Sequence, residues 1–216
     1  MDASTRIAGE ELVLAPERAA LWRTRGMLLV ADLHFAKAAT FRAGGVFVPS
    51  GTTGETLVRL DALIARLAPS SIVFLGDFLH AAEGRNVEMF SVLAEWRRKH
   101  AAIGMTLVRG NHDLRAGDPP PEVGITCIDG PHPAGPFVLA HHPVADTRGY
   151  VLAGHVHPCA VLTGRGGERL RLPSFHFGAG AGILPAFGEF TGSAKVPAVE
   201  GDEVWVVADE EVTRVR

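Results

Sequence analysis

The apolar residues of this chain form short continuous runs that alternate with segments of helical spacing. Continuous apolar runs of four or five residues predict strands that are buried on both faces. Five such runs are residues 27–31, 71–75, 105–108, 137–140 and 150–153. Further strand-like runs occur at residues 11–14, 20–22 and 204–207.

Two segments have the spacing of apolar positions that predicts an amphipathic helix. Residues 53–67 place Leu57, Leu60 and Ile64 on one face, and residues 87–100 follow a similar pattern. Strands that alternate with helices indicate an α/β layered protein. The second half of the chain has few helical patterns, so we predict a second, more antiparallel sheet there. We expect a single domain over all 216 residues.

Composition narrows the class of protein only a little. The chain has 47% apolar residues, 21% charged residues and a net charge of −3, which is ordinary for a soluble globular protein. Charge alone therefore does not indicate a nucleic-acid binder. The two cysteines form no CxxC pair, which favours a reduced, cytoplasmic protein. We expect no membrane span, because prolines and glycines interrupt the longest uncharged stretch.

The polar residues that follow the apolar runs indicate the chemistry. Each of the five predicted strands leads into a side chain that can bind a metal, and ligands gather at the carboxyl ends of strands in α/β sheets. The motifs are Asp32-x-His34, Gly76-Asp77, Gly110-Asn111-His112-Asp113, His141 and Gly154-His155-x-His157. One such motif alone is often a turn, but five in succession fit a metal site far better than a set of core histidines.

Seven of these side chains form the predicted ligand set: Asp32, His34, Asp77, Asn111, His141, His155 and His157. The carboxylate of Asp77 can bridge two cations, because it has two oxygens. Sharing it gives two sites with four protein ligands each. Mixed oxygen and nitrogen ligands suit manganese, iron or zinc rather than calcium. We therefore expect two divalent ions, with Mn2+ as the first choice and iron or zinc as alternatives.

This series of motifs resembles that of the calcineurin-like metallophosphoesterases, over residues 27–160. The resemblance implies a four-layer α/β/β/α sandwich, in which two mixed β-sheets pack face to face with helices outside. It implies that Asp32, His34, Asp77 and His157 hold the first metal. It also implies that Asp77, Asn111, His141 and His155 hold the second metal. His142 is the alternative to His141, which we prefer because it directly ends its strand.

The resemblance also implies catalytic roles. A hydroxide that bridges the two metals would attack the phosphorus atom. His112 would protonate or stabilise the leaving oxygen, and Asp113 would hydrogen-bond its imidazole and raise its pKa. Metal ligation requires neutral imidazoles, so activity is expected to fall below about pH 6.5.

Features outside the metal motifs bear on the substrate. The segment after His34 and the Leu-Pro-Ala-Phe-Gly-x-Phe-Thr-Gly stretch from Leu184 are similar to those of the PdeM group of ligase-associated DNA damage response endonucleases. This similarity implies DNA as substrate in a bacterial repair pathway. It also implies an ATP-dependent DNA ligase, a helicase and a nuclease of the β-lactamase fold as partners.

Several basic and imidazole side chains near the motifs are candidate substrate contacts. They are Lys37, Arg42, His80, Arg109 and His142, with Arg115 and Arg148 as further members of a basic rim. For any single one of the lysine and the arginines, a solvated surface charge is the better interpretation. His80 and His176 could line the pocket, or they could support the ligands or the core.

Two other functions remain open at the level of the sequence. The same metal site would serve a small-molecule phosphomonoesterase or a cyclic-nucleotide phosphodiesterase. The chain could also be a non-catalytic scaffold within a repair complex. The complete ligand set and His112 argue against the scaffold, since a disused site has no chemical reason to keep them.

Overall fold

The seven strands of the first sheet follow the order of the chain. A computed structural model describes residues 1–37, 52–164, 166–189 and 191–216. The strands are β1 (Ala3–Ile7), β2 (Glu10–Ala15), β3 (Ala19–Trp22), β4 (Met27–Val30), β5 (Ser71–Leu75), β6 (Gly104–Val108) and β7 (Thr126–Ile128). Strands β1 to β4 pair antiparallel, whereas β4 to β7 pair parallel. The carboxyl ends of β4, β5 and β6 therefore meet at one edge.

The second sheet is built from the strands of the second half of the chain. They are β8 (His132–Ala134), β9 (Phe137–Leu139), β10 (Tyr150–Ala153), β11 (Pro158–Thr163), β12 (Arg169–Phe177), β13 (Ala181–Ile183), β14 (Ala194–Lys195), β15 (Glu203–Ala208) and β16 (Glu211–Arg214). Its central strand β10 pairs parallel with β9 and β13, and most other pairs are antiparallel. The sheet is mixed, as predicted.

The helices of the described residues all lie within the first 123 residues of the chain. They are α1 (Thr52–Leu67), α2 (Val87–Lys99) and the short α3 (Asn111–Ala116), with 3-10 turns at Arg23–Arg25, Ala82–Gly84 and Pro121–Val123. Helix α2 begins after Asn86, whose side-chain oxygen accepts a hydrogen bond from the Met89 N–H at 2.7 Å. Both long helices match the predicted ranges to within one residue.

Two apolar layers hold the molecule together. Between the sheets, Trp22 packs edge-to-face on Phe137 with ring centroids 4.8 Å apart, and Phe175 is fully buried nearby. Between the first sheet and its helices, Leu60 and Phe74 belong to the other large cluster. This arrangement brings the carboxyl ends of β4 to β6 opposite those of β9 and β10.

The predicted fold class, two mixed sheets with flanking helices, is confirmed. The α-helices of the described residues all pack in the core cluster on the first sheet, so the outer helical layer expected on the second sheet is not seen among these residues. The second sheet carries only a small cluster of Val138, Ala140, Val151 and Ala153 on its other face. Its half of the sequence supplies apolar runs of strand type and no amphipathic helical pattern. Within the described ranges, every helix is too short or too polar to cross a membrane.

Candidate metal centre

The loops after the five predicted strands meet between the two sheets. On the first sheet, the backbone N–H of His34 donates to the Asp77 carbonyl at 2.8 Å, so the loops after β4 and β5 run together. Across the sheets, the backbone N–H of His155 donates to Oδ2 of Asp32 at 2.8 Å. Side chains that are far apart in the sequence thereby line one site.

Glycines allow the two sheet edges to come this close. A Cβ atom at Gly76, which has φ of 79°, would overlap the His141 ring. A Cβ atom at Gly154 would overlap the Asp32 carboxylate and approach Ala31 Cβ to 2.8 Å. The glycines in the Gly-Asp and Gly-His motifs are therefore needed for the contact between sheets.

One group of ligand atoms gathers around Asp32, His34 and His157. Nε2 of His34 lies 3.4 Å from Nε2 of His157, which is 3.6 Å from Oδ1 of Asp32. Nε2 of His34 is also 3.7 Å from Oδ2 of Asp77. These distances place the four predicted ligands of the first metal in one cluster.

A second group gathers around the other oxygen of Asp77. Nε2 of His141 lies 3.3 Å from Oδ1 of Asp77, 3.0 Å from Oδ1 of Asn111 and 3.0 Å from Nδ1 of His155. The two carboxylate oxygens of Asp77 thus point to different groups. This is the geometry that a bridging ligand requires.

The backbone is strained where it presents these side chains. Residues other than glycine rarely adopt φ near +50°, and each such residue costs on the order of 1–3 kcal/mol. Five of the predicted ligands do so: Asp32 (54°), His34 (49°), Asp77 (50°), His155 (69°) and His157 (51°). Strain of this kind persists where a functional geometry requires it.

The donor set fits bound cations. Oδ1 of Asp32 is buried and has no hydrogen-bond partner among the described residues, which is costly for a carboxylate oxygen unless a cation lies beside it. Burial lowers the pKa of His34 to about 2 and that of His141 to about 4, so both imidazoles are neutral at pH 7. Neutral imidazoles and buried carboxylates around a shared centre are the ligands that transition metals require.

Backbone carbonyls fix the orientation of several imidazoles. A carbonyl only accepts hydrogen bonds, so Nδ1 of His141 donates to the Leu75 carbonyl at 3.1 Å. Nδ1 of His157 donates to the Gly192 carbonyl at 3.0 Å. In both rings Nε2 is left as the free electron-pair donor that faces the cluster.

His112 lies beside the cluster, but its predicted partner is wrong. Nδ1 of His112 donates to the His80 carbonyl at 2.6 Å, and its Nε2 is 3.9 Å from Oδ2 of Asp77. Asp113 instead accepts from the backbone N–H groups of Gly110 and Leu79, at 2.9 and 3.0 Å. Its carboxylate points back from the start of α3 and ties that helix to the loop after β5.

The positions of His141 and His142 decide which of the two is the better candidate for the metal ligand. His141 is 3% exposed and faces Asp77 and Asn111, whereas His142 is exposed and packs on the His155 ring with centroids 4.1 Å apart. His142 thus lies at the rim, where a substrate could reach it. The geometry favours His141 as the ligand.

Two other residues that were predicted to contact the substrate, His80 and Lys37, lie beside the cluster. His80 stacks on His112 with centroids 4.9 Å apart, and its Nδ1 is 3.3 Å from Nδ1 of His34. Lys37 lies close enough for its charge to lower the pKa of His34 and of His80, after the larger effect of burial. Arg42 lies outside the described residues. His80 and Lys37 therefore both border the cluster.

Three further predicted residues are engaged elsewhere. Arg109 forms two hydrogen bonds of 2.7 Å with Asp118 and one of 2.9 Å with Asp129, so its guanidinium is already held by carboxylates. Arg148 is paired with Asp146 in the same way. His176 is buried and bonds Asp202 at 2.9 Å within the second sheet. The structure places none of these three in the cluster.

Sequence reasoning missed the segment that supports His157. We call residues 184–189 and 191–194 the strap. Its Phe187 is fully buried in the core of the first sheet, and Arg59 of α1 contacts both the Phe187 carbonyl and Glu189. The strap also contains the Gly192 carbonyl that orients His157. Its Leu-Pro-Ala-Phe-Gly signature was visible in the sequence, but its position was not.

Comparisons with known proteins agree with this geometry. The model of a family described as calcineurin-like phosphoesterase matches residues 27–178. The crystal structure of Pseudomonas putida nuclease MPE is 38% identical, covers 100% of both chains and has a TM-score of 0.87. No curated protein matches the chain.

More distant solved structures are also similar. The phosphoesterase Yfce from E. coli is 14% identical over 88% of this chain and 97% of its own, with a TM-score of 0.41. A predicted phosphoesterase from Streptococcus pneumoniae TIGR4 is 12% identical over 85% of this chain and 83% of its own, with a TM-score of 0.30. Similarities at this level carry no argument about function.

Proposed function

The chain belongs to the calcineurin-like phosphoesterases, metal-dependent hydrolases of phosphate esters, and we propose that it is a nuclease that cleaves phosphodiester bonds in DNA with two bound divalent cations. The observation that carries the proposal is the similarity to the Pseudomonas putida nuclease, which extends over both chains from end to end. The ligand cluster of this chain supports the same conclusion, because its two groups of donors share Asp77.

Each cation would have its own set of protein ligands. Asp32, His34, Asp77 and His157 would hold one, and Asp77, Asn111, His141 and His155 would hold the other. When bound, two such ions offset the charge of a phosphate group and lower the pKa of water, and manganese is our first choice. The two carboxylates do not cancel the charge of two divalent ions, so the site attracts an anionic ester.

His112 would handle the proton of the leaving group. The His80 carbonyl accepts from Nδ1 and thereby turns Nε2 toward Asp77 and the space above the cluster. In its imidazolium form His112 carries a proton on Nε2 as well as on Nδ1, and it would give the Nε2 proton to the leaving oxygen as the phosphorus–oxygen bond breaks, which leaves a neutral imidazole. His80 stacks on this ring and restricts its rotation.

The biological setting follows from the sequence signatures. We propose that the protein acts in the cytoplasm in bacterial DNA repair, with an ATP-dependent DNA ligase, a helicase and a nuclease of the β-lactamase fold as partners. Co-purification from the native host under mild conditions tests the partners. Recovery of none of the three enzymes, while the protein itself is active, would contradict this part of the proposal.

The proposed activity is tested with purified protein and added Mn2+, Fe2+ or Zn2+. The substrates are circular DNA, bis-p-nitrophenyl phosphate and p-nitrophenyl phosphate. We expect hydrolysis of the two diesters, with manganese the most effective ion. Hydrolysis of the monoester alone would replace the nuclease by a phosphomonoesterase, and no turnover with any ion would favour a scaffold.

A further inference from the structure

A groove opens beside the metal centre on the side of His157. It has a volume of about 240 Å³ and is lined by His157, Arg18, Arg171 and part of the strap. The side chain of His157 is 15% exposed, so the groove reaches one of the predicted ligands directly. Binding pockets for drug-sized ligands measure about 300–1,000 Å³, so this groove fits one small group rather than a whole ligand.

The groove carries an excess of positive charge. Arg171 donates from Nε to Sγ of Cys159 at 2.9 Å and from Nη2 to the Ser193 carbonyl at 2.6 Å, and neither partner is a carboxylate. Arg18 lies 3.5 Å from Glu189, but that carboxylate is also bound by Arg59. Among the described residues, the guanidinium groups of Arg18 and Arg171 in the groove and of Arg59 beside it share one carboxylate, Glu189, which leaves two positive charges without an ion-pair partner.

Arg171 is also prepared to bind an anion. Its side chain is exposed, yet the contacts with Cys159 and Ser193 hold the guanidinium in place. A held guanidinium loses less conformational entropy on binding and presents its remaining N–H groups in a fixed plane. Such a group recognises phosphate through charge-assisted hydrogen bonds.

We propose that this groove binds the phosphate group that neighbours the scissile phosphate along the substrate strand. The substrate would then be a polynucleotide strand with at least one flanking phosphate, and not a mononucleotide ester. The inference rests on the proposed nuclease function and specifies its substrate. Arg171 and Arg18 are the residues that make the contact.

The excess of positive charge does not extend far from the metal centre. The groove shares Arg18, Leu172 and Pro173 with a larger cavity of about 800 Å³. There Arg66 is paired with Asp2 and Glu17, at 2.5 and 2.6 Å. The cationic stretch is therefore limited to the part nearest the metal centre, which fits a single flanking phosphate.

The test compares a long and a short substrate on the same enzyme. The values of kcat/KM are measured with manganese for a single-stranded oligodeoxynucleotide and for bis-p-nitrophenyl phosphate, which has no second phosphate. In Arg171→Ala, we expect the ratio of the two values to fall about tenfold or more, the usual effect of losing a hydrogen bond to a charged group. The slope of log kcat/KM against log salt for the oligonucleotide should become shallower by about 0.7.

Further variants distinguish the loss of a positive charge in the groove from an effect on the structure of the protein. Arg169→Ala removes an exposed arginine two residues away on the same strand, outside the groove, and should leave the ratio unchanged. Arg171→Lys should restore part of the ratio. Arg18→Asn, chosen because asparagine tolerates the φ of 71° at this position, should lower it.

The outcomes distinguish this inference from the proposed function. If the wild type hydrolyses both substrates and Arg171→Ala leaves their ratio unchanged, the flanking-phosphate site is wrong and the nuclease stands. An equal loss on both substrates also overturns the site, since it indicates a structural role. If the wild type hydrolyses neither diester, the proposed function fails and the inference fails with it.

Discussion

The two sheets contribute to the candidate metal centre in different ways. The first sheet supplies both carboxylates, Asp32 and Asp77, together with His34 and Asn111, which we call the first-sheet half. The second sheet supplies three imidazoles and no anion, from His141, His155 and His157, which we call the second-sheet half. The negative charge and the bridging carboxylate thus follow neighbouring parallel strands, whose register relative to each other is fixed by backbone hydrogen bonds. The neutral ligands depend on how the two sheets pack.

The largest difference between the halves is expected at the shared carboxylate. Asp77→Asn keeps the shape of the side chain but removes its charge and one acceptor oxygen, so both ions should be lost. Diester hydrolysis should fall by more than about 100-fold, because even residues that only support a ligand cost 10- to 100-fold. Elemental analysis of the dialysed protein counts the ions.

The control for this variant comes from the second-sheet half. His157→Ala removes a ligand of one group only and should leave one ion bound per chain. Retention of two ions in Asp77→Asn would show that Asp77 is not shared, and the comparison between the halves would fail.

The next largest expected effect is a loss of turnover in a variant that keeps both metal ions. His112→Asn removes the proton donor that the first sheet places beside the cluster, while all seven predicted ligands stay. We expect kcat to fall by about 10²- to 10⁴-fold with both ions retained. His132→Asn, at an exposed position on β8, is the control and should change neither. Unchanged kcat in His112→Asn would remove the residue from the mechanism.

A smaller effect tests the packing of the two halves. Gly154→Ala forces a Cβ atom against the Asp32 carboxylate, so the sheets must separate. We expect the free energy of unfolding to fall by about 1–3 kcal/mol, the usual cost of overpacking, and manganese affinity to weaken. Urea denaturation and calorimetric titration measure the two quantities.

A matched glycine provides the control for packing. A Cβ atom at Gly104, at the start of β6, has nothing within 4 Å, so Gly104→Ala should change neither stability nor metal affinity appreciably. Equal effects of the two variants would mean that the close approach at Gly154 has no special role.

The smallest expected effect is a difference between the two halves in the pH at which their imidazoles become protonated. Burial disfavours the charged form of His157, but the carboxylate of Asp32, 3.6 Å from Nε2, outweighs burial and raises the pKa of His157 above 6.5. His34 has a pKa of about 2 because of burial. On acidification, His157 therefore takes up a proton first, above pH 6.5, and manganese affinity should begin to weaken there.

Protonation can be observed residue by residue. An NMR titration of the imidazoles in metal-free protein should show His157 titrating at higher pH than His34 and His141. A reversed order would contradict the contact between His157 and Asp32. The expected loss of activity below about pH 6.5 is thereby refined, since His157 is the ligand of the second-sheet half that is most sensitive to acid.

Much of the fold was visible in the sequence because its signals are local. The apolar runs at 71–75 and 150–153 coincide with β5 and β10, and the helix predicted at 53–67 is α1 within one residue. The ligand set stays a prediction, but the structure brings all seven side chains together. They could be chosen because each lies within four residues of the end of a buried strand.

The errors occurred where a contact is made by the backbone. Asp113 follows His112 in the sequence, and the two were expected to bond, yet the carboxylate turns to the N–H groups of Gly110 and Leu79. The partner of His112 is the carbonyl of His80. Backbone groups are the same at every position, so a sequence pattern cannot show which of them a side chain will meet.

The sequence by itself determined the strands, the helices and the type of metal ligand, because hydrophobic spacing and side-chain chemistry are properties of short segments. Only the tertiary structure decided how the Gly192 carbonyl turns His157, that the His80 carbonyl is the partner of His112, and that Arg109 is held by Asp118 and Asp129. It also placed Arg171 beside His157. These features depend on the packing of two sheets whose strands are far apart in the chain, and no local pattern encodes that distance.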